Sequence, residues 1–301
     1  MKSALSAGVR SPREPAPACV PRNPKAGGAG PRTHLIERLR ASISAIEQNP
    51  VSIPRPPAHP GTGEPGPACH PSRWTFGARP VDAALPGGRL ATSGLHDIRP
   101  AAHGDGPAAL AFALALAGRR LSMHGASPLL FWGFTAASAH ETGAPHGPGL
   151  IRFGVDPAHV LMAEVRRARD LAWAVEEALK SRALGAVLAR LPDMAVLPLR
   201  RLTLAARAGR TPCLLLLDHH AAAHGFADSR WRVTALPSAP HPFDARASGA
   251  PRWKIDLERC RGGTVPQTWQ VEWSDDAYCF AMVAPMADRA DAARERRVLS
   301  R

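Results

Sequence analysis

The chain has 301 residues and is 45% hydrophobic, which is enough to bury a sizeable core, so a wholly disordered chain is excluded. Its longest apolar run, residues 108–117, is about half of the ~20 residues that a membrane helix needs. We also expect no secretory signal. The five cysteines contain no CxxC pair, so they indicate neither a disulfide framework nor a zinc site. The net charge of +13, carried mostly by arginine, is typical of a protein that binds polyanions or has a solvated basic surface, and a GC-rich coding composition explains the arginine excess equally well.

The N-terminal part is predicted to contain a leader, one short helix and a linker. Residues 1–32 are rich in Pro, Gly, Ala and Arg without periodicity, which predicts a disordered basic leader. Apolar residues recur at helical spacing over residues 33–48, with Ile43 in the apolar stripe. We therefore expect an amphipathic helix that docks on a partner or on the chain's own core, with Ile43 as its contact residue. Residues 49–73 are rich in Pro and Gly, as is typical of a linker.

Residues 74–286 are predicted to form the globular domain. Short apolar runs alternate with helical patterns in its first part, which indicates a parallel sheet with helices on both faces. The predicted strands are residues 94–98, 129–132, 160–163, 185–191 and 213–218. The predicted helices are residues 107–120, 167–181 and 197–208.

From about residue 229 the predicted strands follow one another without helices between them. These strands are residues 230–236, 252–258, 268–273 and 278–283. Apolar and polar residues alternate in them, which predicts an antiparallel extension with one wet face. The last residues, 287–301, are predicted to be a charged tail.

This layout, a helix on a linker followed by a parallel α/β core and an antiparallel extension, resembles RecA-type recombinase cores. The resemblance is carried by residues 85–88 with 94–98, by residues 150–156 with 160–161, and by the strands 185–191 and 213–218. It implies an α/β fold with a RecA-like core of the P-loop-NTPase type.

A closer resemblance is to the inducible-mutagenesis protein A (ImuA) family of bacteria, RecA-like proteins of the damage-induced mutagenesis cassette. It is carried by residues 43–47, 76–77, 85–88, 95–97, 153–157, 170–179, 229–233, 261–263 and 269–273. The resemblance implies an accessory role in SOS mutagenesis and error-prone translesion synthesis. Its partners would be ImuB, a Y-family-like polymerase, and an error-prone DnaE-type polymerase, with RecA and DNA left open as further partners.

The junction after the first predicted strand departs from the RecA pattern. A P-loop needs GxxxxGK[ST], in which Lys reaches the β/γ-phosphates and Ser/Thr holds Mg²⁺. Here the slot contains Gly104 and Asp105, and Gly106 and Pro107 stand at the Lys and Ser/Thr positions. Asp105 would repel a phosphate, and Pro107 lacks an amide donor. Arg190 also lies near the end of the strand where a metal-binding acid belongs, so we expect no ATPase activity, no catalytic residue and no cofactor.

Other reactive side chains give weaker signals. His219, His220 and His224 follow a predicted strand, but their spacing matches no zinc motif, so no metal site is predicted. Glu176 is expected to form a surface pair with Lys180, four residues later on the same helix, rather than to act as an acid or base.

Arginines are interleaved with tryptophans in the predicted C-terminal sheet. Arg259 and Arg261, beside a glycine turn, are predicted to contact a protein partner or single-stranded DNA. In the simpler interpretation the tryptophans form the core and the arginines lie on the wet face. The tryptophans are Trp231, Trp253, Trp269 and Trp273.

Two alternatives to the accessory role remain open from the sequence. The first is a cell-division inhibitor similar to the SulA family, which would bind a tubulin-like division protein. Those inhibitors resemble a shorter and less basic domain without the leader. The second is an enzyme with a cryptic nucleotide site, which nucleotide-dependent melting would reveal. In each case the scattered cysteines favour the reducing cytoplasm.

Overall fold

The sheet at the centre of the fold is built from nine strands within the residues that the computed structural model describes, 73–123, 128–192, 196–241, 243–244 and 246–283. The strands are β1 (Leu95–Pro100), β2 (Leu129–Thr135), β3 (Val160–Val165), β4 (Leu184–Arg190), β5 (Cys213–Leu216), β6 (Ser229–Leu236), β7 (Arg252–Cys260), β8 (Gln267–Ser274) and β9 (Cys279–Met282). Their order across the sheet is β3-β2-β4-β5-β1-β6-β7-β8-β9.

Neighbouring strands from β3 to β6 in this order are parallel. Parallel strands need long crossover connections, and helices form most of them. The helices are α1 (Arg79–Ala83), α2 (Gly106–Ser122), α3 (Ala136–Thr142), α4 (Gly147–Ile151), α5 (Ala168–Lys180) and α6 (Val196–Gly209). Thus α2 connects β1 to β2, α5 connects β3 to β4, and α6 connects β4 to β5.

Helices cover both faces of the parallel strands. On one face α2 buries Phe112 and Leu116 against alternate strand residues. A Cβ at Gly118 would lie 1.6 Å from the carbonyl oxygen of Phe153, so only glycine lets α2 approach this closely. On the other face α5 and α6 pack side by side.

Strand β6 joins the parallel strands to the antiparallel extension. It is parallel to β1 and antiparallel to β7, and β8 and β9 continue the antiparallel pattern. The four tryptophans of this extension are at most 8% exposed; three of them pack around Phe112 and Phe280, and Trp269 packs against Trp231. They are core residues, so they offer no open ring face for stacking on a base.

The fold class predicted from the sequence is confirmed, since a mostly parallel α/β core is followed by antiparallel strands. The predicted leader 1–32, the helix 33–48 with Ile43, nearly all of the linker 49–73 and the tail 287–301 lie outside the described residues. None of the described helices is long and apolar enough to cross a membrane.

A buried histidine connects β1 to β6. His96 is 1% exposed; its Nε2 donates to the carbonyl oxygen of Ala91 at 2.8 Å, and its Nδ1 accepts from the hydroxyl of Ser229 at 2.7 Å. The Ser229 oxygen in turn accepts from Nε1 of Trp231 at 2.8 Å. With a neutral imidazole, both ring nitrogens of His96 and the Ser229 hydroxyl have hydrogen-bond partners in this series. Desolvation by burial lowers the pKa of His96.

We expect His96 to make the fold sensitive to acid. Because its pKa is lower in the folded than in the unfolded chain, the unfolded chain binds more protons below pH ~6.5, and stability falls as the pH decreases. His96→Gln keeps a donor and an acceptor without a titrating ring, so its free energy of unfolding should depend less on pH. Urea unfolding of both proteins between about pH 5 and pH 8 measures this difference, and parallel pH profiles would contradict the expectation.

Candidate functional site at the carboxyl ends of the parallel strands

Open α/β sheets bind ligands in the crevice at the carboxyl ends of their strands, so the junction between β1 and α2 is the first candidate site. A turn of 3-10 helix, His103–Asp105, connects the two elements. Gly106 and Pro107 are the first two residues of α2. The four slot residues selected from the sequence therefore lie together at the start of this helix.

The carboxylate of Asp105 lies at the N-terminus of α2. Its Oδ2 accepts from the backbone N–H of Ala102 at 3.1 Å, and its Oδ1 accepts from the backbone N–H of Ala235 at 2.9 Å. Free amides and the helix dipole favour an anion at a helix N-terminus, which is how such positions bind phosphate. Here the chain supplies the anion itself, and its negative charge opposes the approach of a phosphate.

Arg190 ends β4 and is held by α3. Its Nη2 donates to Oε2 of Glu141 at 2.8 Å, and its Nη1 donates to the hydroxyl of Thr142 at 3.2 Å. The same carboxylate lies 3.9 Å from Nε2 of His103 in the slot. The strand end where the RecA pattern has a metal-binding acid therefore carries a cation, and Glu141 is paired with it.

An apolar cavity of about 190 Å³ opens beside this ion pair, between α2, β2, α3 and α4. Trp132, Phe134 and Phe153 contribute much of its wall. Its ionisable lining residues are Arg190, already paired with Glu141, and His146. The cavity therefore suits an apolar side chain better than a charged substrate.

Three charged side chains form a buried cluster across β1 and β6, called here the Asp97 cluster. Asp97 accepts from Nε and Nη2 of Arg99 at 2.8 and 2.7 Å, and from Nε of Arg230 at 2.9 Å. All three residues are at most 8% exposed. Bidentate, charge-assisted hydrogen bonds of this kind are strong, but one carboxylate cannot satisfy every donor of two guanidinium groups.

The remaining donors of the cluster hold the loop that joins β5 to β6. Arg99 and Arg230, together with Arg259 on β7, donate to five carbonyl oxygens of this loop. The accepting residues are Ala221, Ala222, His224, Gly225 and Ala227. A crossover without a helix is thereby fixed by hydrogen bonds from buried and half-buried arginines.

The cluster was not predicted, although the sequence contains a signal for it. Asp97 and Arg99 are separated by one residue, so they lie on the same face of a strand. The strand that contains them is buried along its whole length. Opposite charges at this spacing in a buried strand must be paired, because an isolated buried charge is too costly.

Arg259 and Arg261, selected from the sequence as contact residues, lie in different environments. Arg259 is half-buried, and its guanidinium is bound to the loop between β5 and β6. The Arg261 side chain is 54% exposed, and its Nε lies 3.1 Å from Oδ1 of Asp228. Nη2 of Arg207 on α6 lies at 3.1 Å from the same oxygen, so two arginines share one carboxylate and positive charge remains at the surface.

The histidines and Glu176 have no catalytic arrangement. No group of three or more His, Cys, Asp or Glu side chains that could hold a metal ion is found in the described part of the chain. Glu176 pairs with Lys180 at 2.7 Å, as predicted, but it is buried and not at the surface, and it also pairs with Arg201 of α6 at 2.6 Å. Burial acts to raise the pKa of Glu176, but the hydrogen bonds from Lys180 and Arg201 outweigh it and the pKa is lowered, so the group remains an ionised structural partner.

Comparison with known proteins identifies relatives of this chain. Protein ImuA of Caulobacter vibrioides, in each of two strains, is 29% identical over 244 residues, which cover 73% of this chain and 93% of that protein. The chain is a homologue of these ImuA proteins, and the resemblance found in the sequence is confirmed. No family model matches the chain. Among solved structures, the crystal structure of the RadB recombinase matches with 13% identity and a TM-score of 0.48, over 70% of this chain and 100% of that one.

We expect the Asp97 cluster to be the most sensitive charged group of the fold. Asp97→Asn would leave Arg99 and Arg230 buried without a counter-ion, and the free energy of unfolding should fall by about 3–5 kcal/mol. Asp275→Asn is the matched control, because Asp275 pairs with Arg152 at the surface over 3.6 Å, and such pairs contribute about 0–1 kcal/mol. Urea denaturation of the three proteins measures both changes. Equal losses for the two variants would contradict this assignment.

Proposed function

We propose that this chain is a non-catalytic, RecA-like accessory protein of DNA-damage-induced (SOS) mutagenesis, which assists error-prone translesion synthesis through protein contacts. Homology to Protein ImuA along nearly the whole length of that protein supports this role. The proposed partners are the Y-family-like polymerase ImuB and an error-prone DnaE-type polymerase. RecA and DNA are the further candidates, and the proposed compartment is the cytoplasm.

The observation that carries the non-catalytic part is the position of Asp105. Its carboxylate lies directly before α2, where a P-loop would hold phosphate, and it accepts the backbone amides of Ala102 and Ala235. Gly106 and Pro107 replace the Lys and Ser/Thr that would bind the phosphates and Mg²⁺. Arg190, paired with Glu141, adds a second change at the neighbouring strand end. We interpret the junction as a degenerate P-loop, kept as a structural turn.

Ile43, Arg259 and Arg261 are the proposed contact residues. The assignment of Ile43 rests on its place in the apolar stripe of residues 33–48. Arg261 is accessible for direct contact, whereas Arg259 would act by holding the adjacent loop in place. Burial of the nearby tryptophans disfavours base stacking, so a protein partner is the preferred occupant of this surface.

We expect neither hydrolysis of Mg-ATP nor stabilisation by it. A ligand at ~100-fold excess over its Kd would add about 2.7 kcal/mol to the free energy of unfolding, which a melting experiment detects readily. The melting temperature of the full chain should therefore be the same with and without Mg-ATP. An active ATPase with a complete P-loop serves as the positive control, and a rise in melting temperature that EDTA abolishes would refute the proposal.

We also expect Arg261 to contribute to partner binding. Arg261→Ala should weaken binding to purified ImuB by about tenfold, or about 1.4 kcal/mol, which is more than the ~1 kcal/mol that only a minority of interface residues exceed. Arg152→Ala removes a comparably exposed arginine elsewhere and should leave the affinity unchanged. Titration of single-stranded DNA against salt is the second measurement. If Arg261→Ala instead reduces the log–log salt slope by about 0.7, the residue contacts phosphate and not protein.

A further inference from the structure

The outward face of α6 has leucines where a surface helix normally has polar residues. Leu197 and Leu204 are 67% and 56% exposed. They lie seven residues apart, about 10.5 Å along the helix axis, on the side opposite the buried residues. The buried residues are Leu199, Leu202, Thr203, Ala205, Ala206 and Gly209. The two leucines therefore stand at the centre of the solvent side and not at its margin.

Arginines lie on both sides of this apolar line. At 100° per residue, Arg200 and Arg207 lie on one side of Leu197 and Leu204, and Arg201 lies on the other. All three arginines are exposed, and α6 contains neither Asp nor Glu. The face therefore combines an apolar centre with a basic rim, which is the usual anatomy of a protein interface.

Nearby carboxylates do not neutralise this rim. Three of them serve four cations, and Arg200 forms no ion pair within the described residues. The pairs are Arg201–Glu176, Lys180–Glu176, Lys180–Glu177, Arg207–Asp228 and Arg261–Asp228. The positive excess runs from α6 to Arg261, the contact residue selected from the sequence.

We propose that the α6 face, defined by Leu197, Arg200, Arg201, Leu204 and Arg207, binds an acidic amphipathic helix of a partner protein. Apolar residues of that helix would cover the two leucines, and flanking Asp or Glu side chains would meet the arginines. The inference rests on the proposed assembly role and specifies the chemistry of the partner.

Two other occupants fit this face less well. A nucleic acid would use the arginines but would leave the two central leucines without apolar partners. The chain's own predicted helix, residues 33–48, contains two acidic and two basic residues and therefore lacks the required negative charge. Charge complementarity thus favours a separate, acidic segment.

The first experiment measures binding of a designed peptide to the full chain by fluorescence anisotropy. The probe is a Glu-rich helical peptide with leucines on one face, and its control has the same composition in a permuted order that removes the apolar stripe. We expect tighter binding of the amphipathic peptide, and a loss of about tenfold or more in the Leu197→Glu/Leu204→Glu variant. Met162→Glu, at a position that is 55% exposed on β3, should bind as the unsubstituted chain does.

Several results would overturn the inference. Equal binding of the two peptides would show that charge alone attracts them, and equal effects of the α6 and Met162 variants would show that the site lies elsewhere. Displacement of the peptide by a single-stranded oligonucleotide would assign the face to nucleic acid. A photo-crosslink from position 204 to residues 33–48 would assign it to the chain itself.

The second experiment separates this inference from the proposed function. Damage-induced mutation frequency is measured in cells with the unsubstituted chain, with the Leu197→Glu/Leu204→Glu variant and without the gene. We expect the frequency to fall in the last two strains. Loss of mutagenesis only in the deletion strain would overturn the α6 face, whereas unchanged mutagenesis in the deletion strain would overturn the accessory role itself.

Discussion

The pairing of Asp97 with two buried arginines is the interaction on which the arrangement of this sheet depends. Strand β1 lies between the parallel strand β5 and strand β6, where the sheet changes from parallel to antiparallel. Arg230 must face Asp97 for the charges to be paired, and a slip of β6 by one residue would turn it to the other face. Because unpaired charges in this position are costly, the cluster specifies the register of β6 against β1 and, through β6, the position of the whole antiparallel extension.

Charged side chains are also paired within the chain along the carboxyl ends of the parallel strands. Asp105, just before α2, accepts the amides of Ala102 and Ala235, Glu141 pairs with Arg190, and the arginines of the Asp97 cluster hold the loop after β5. In a nucleotide-driven protein these positions are completed by phosphate and magnesium, and their geometry changes when the ligand leaves. Here the chain's own side chains supply both anions and cations at these positions. This internal pairing supports the proposed non-catalytic role.

The sequence predicts the layers of this fold better than its side-chain pairs. Apolar runs and strict alternation are local signals, and they identified the parallel core and the antiparallel strands. Helix α4 was not predicted, because its sequence GPGLI contains two glycines and a proline. Helix α3 was not predicted either, because it follows β2 directly and no turn residues mark its start. The pairing of Asp97 with Arg230 spans 133 residues, and no local pattern indicates which distant charge meets which. Arg259 shows the same limit. Its position beside a glycine turn suggested an exposed contact, whereas in the fold its guanidinium binds loop carbonyls.

Arginine content alone therefore misleads about what this chain can bind. Arginine remains protonated in proteins, so a buried guanidinium is stabilised by acceptors inside the fold, as Arg99 and Arg230 are. Arg99 and Arg230 contribute to the net charge of +13 but are bound to Asp97 and to backbone carbonyls, out of reach of any polyanion. Among the arginines that remain exposed, those on α6 surround two leucines, and Arg261 shares Asp228 with Arg207 of α6. A phosphate backbone offers no apolar groups that would cover those leucines. The distribution of the charge, more than its total, therefore argues that the α6 face recognises a protein.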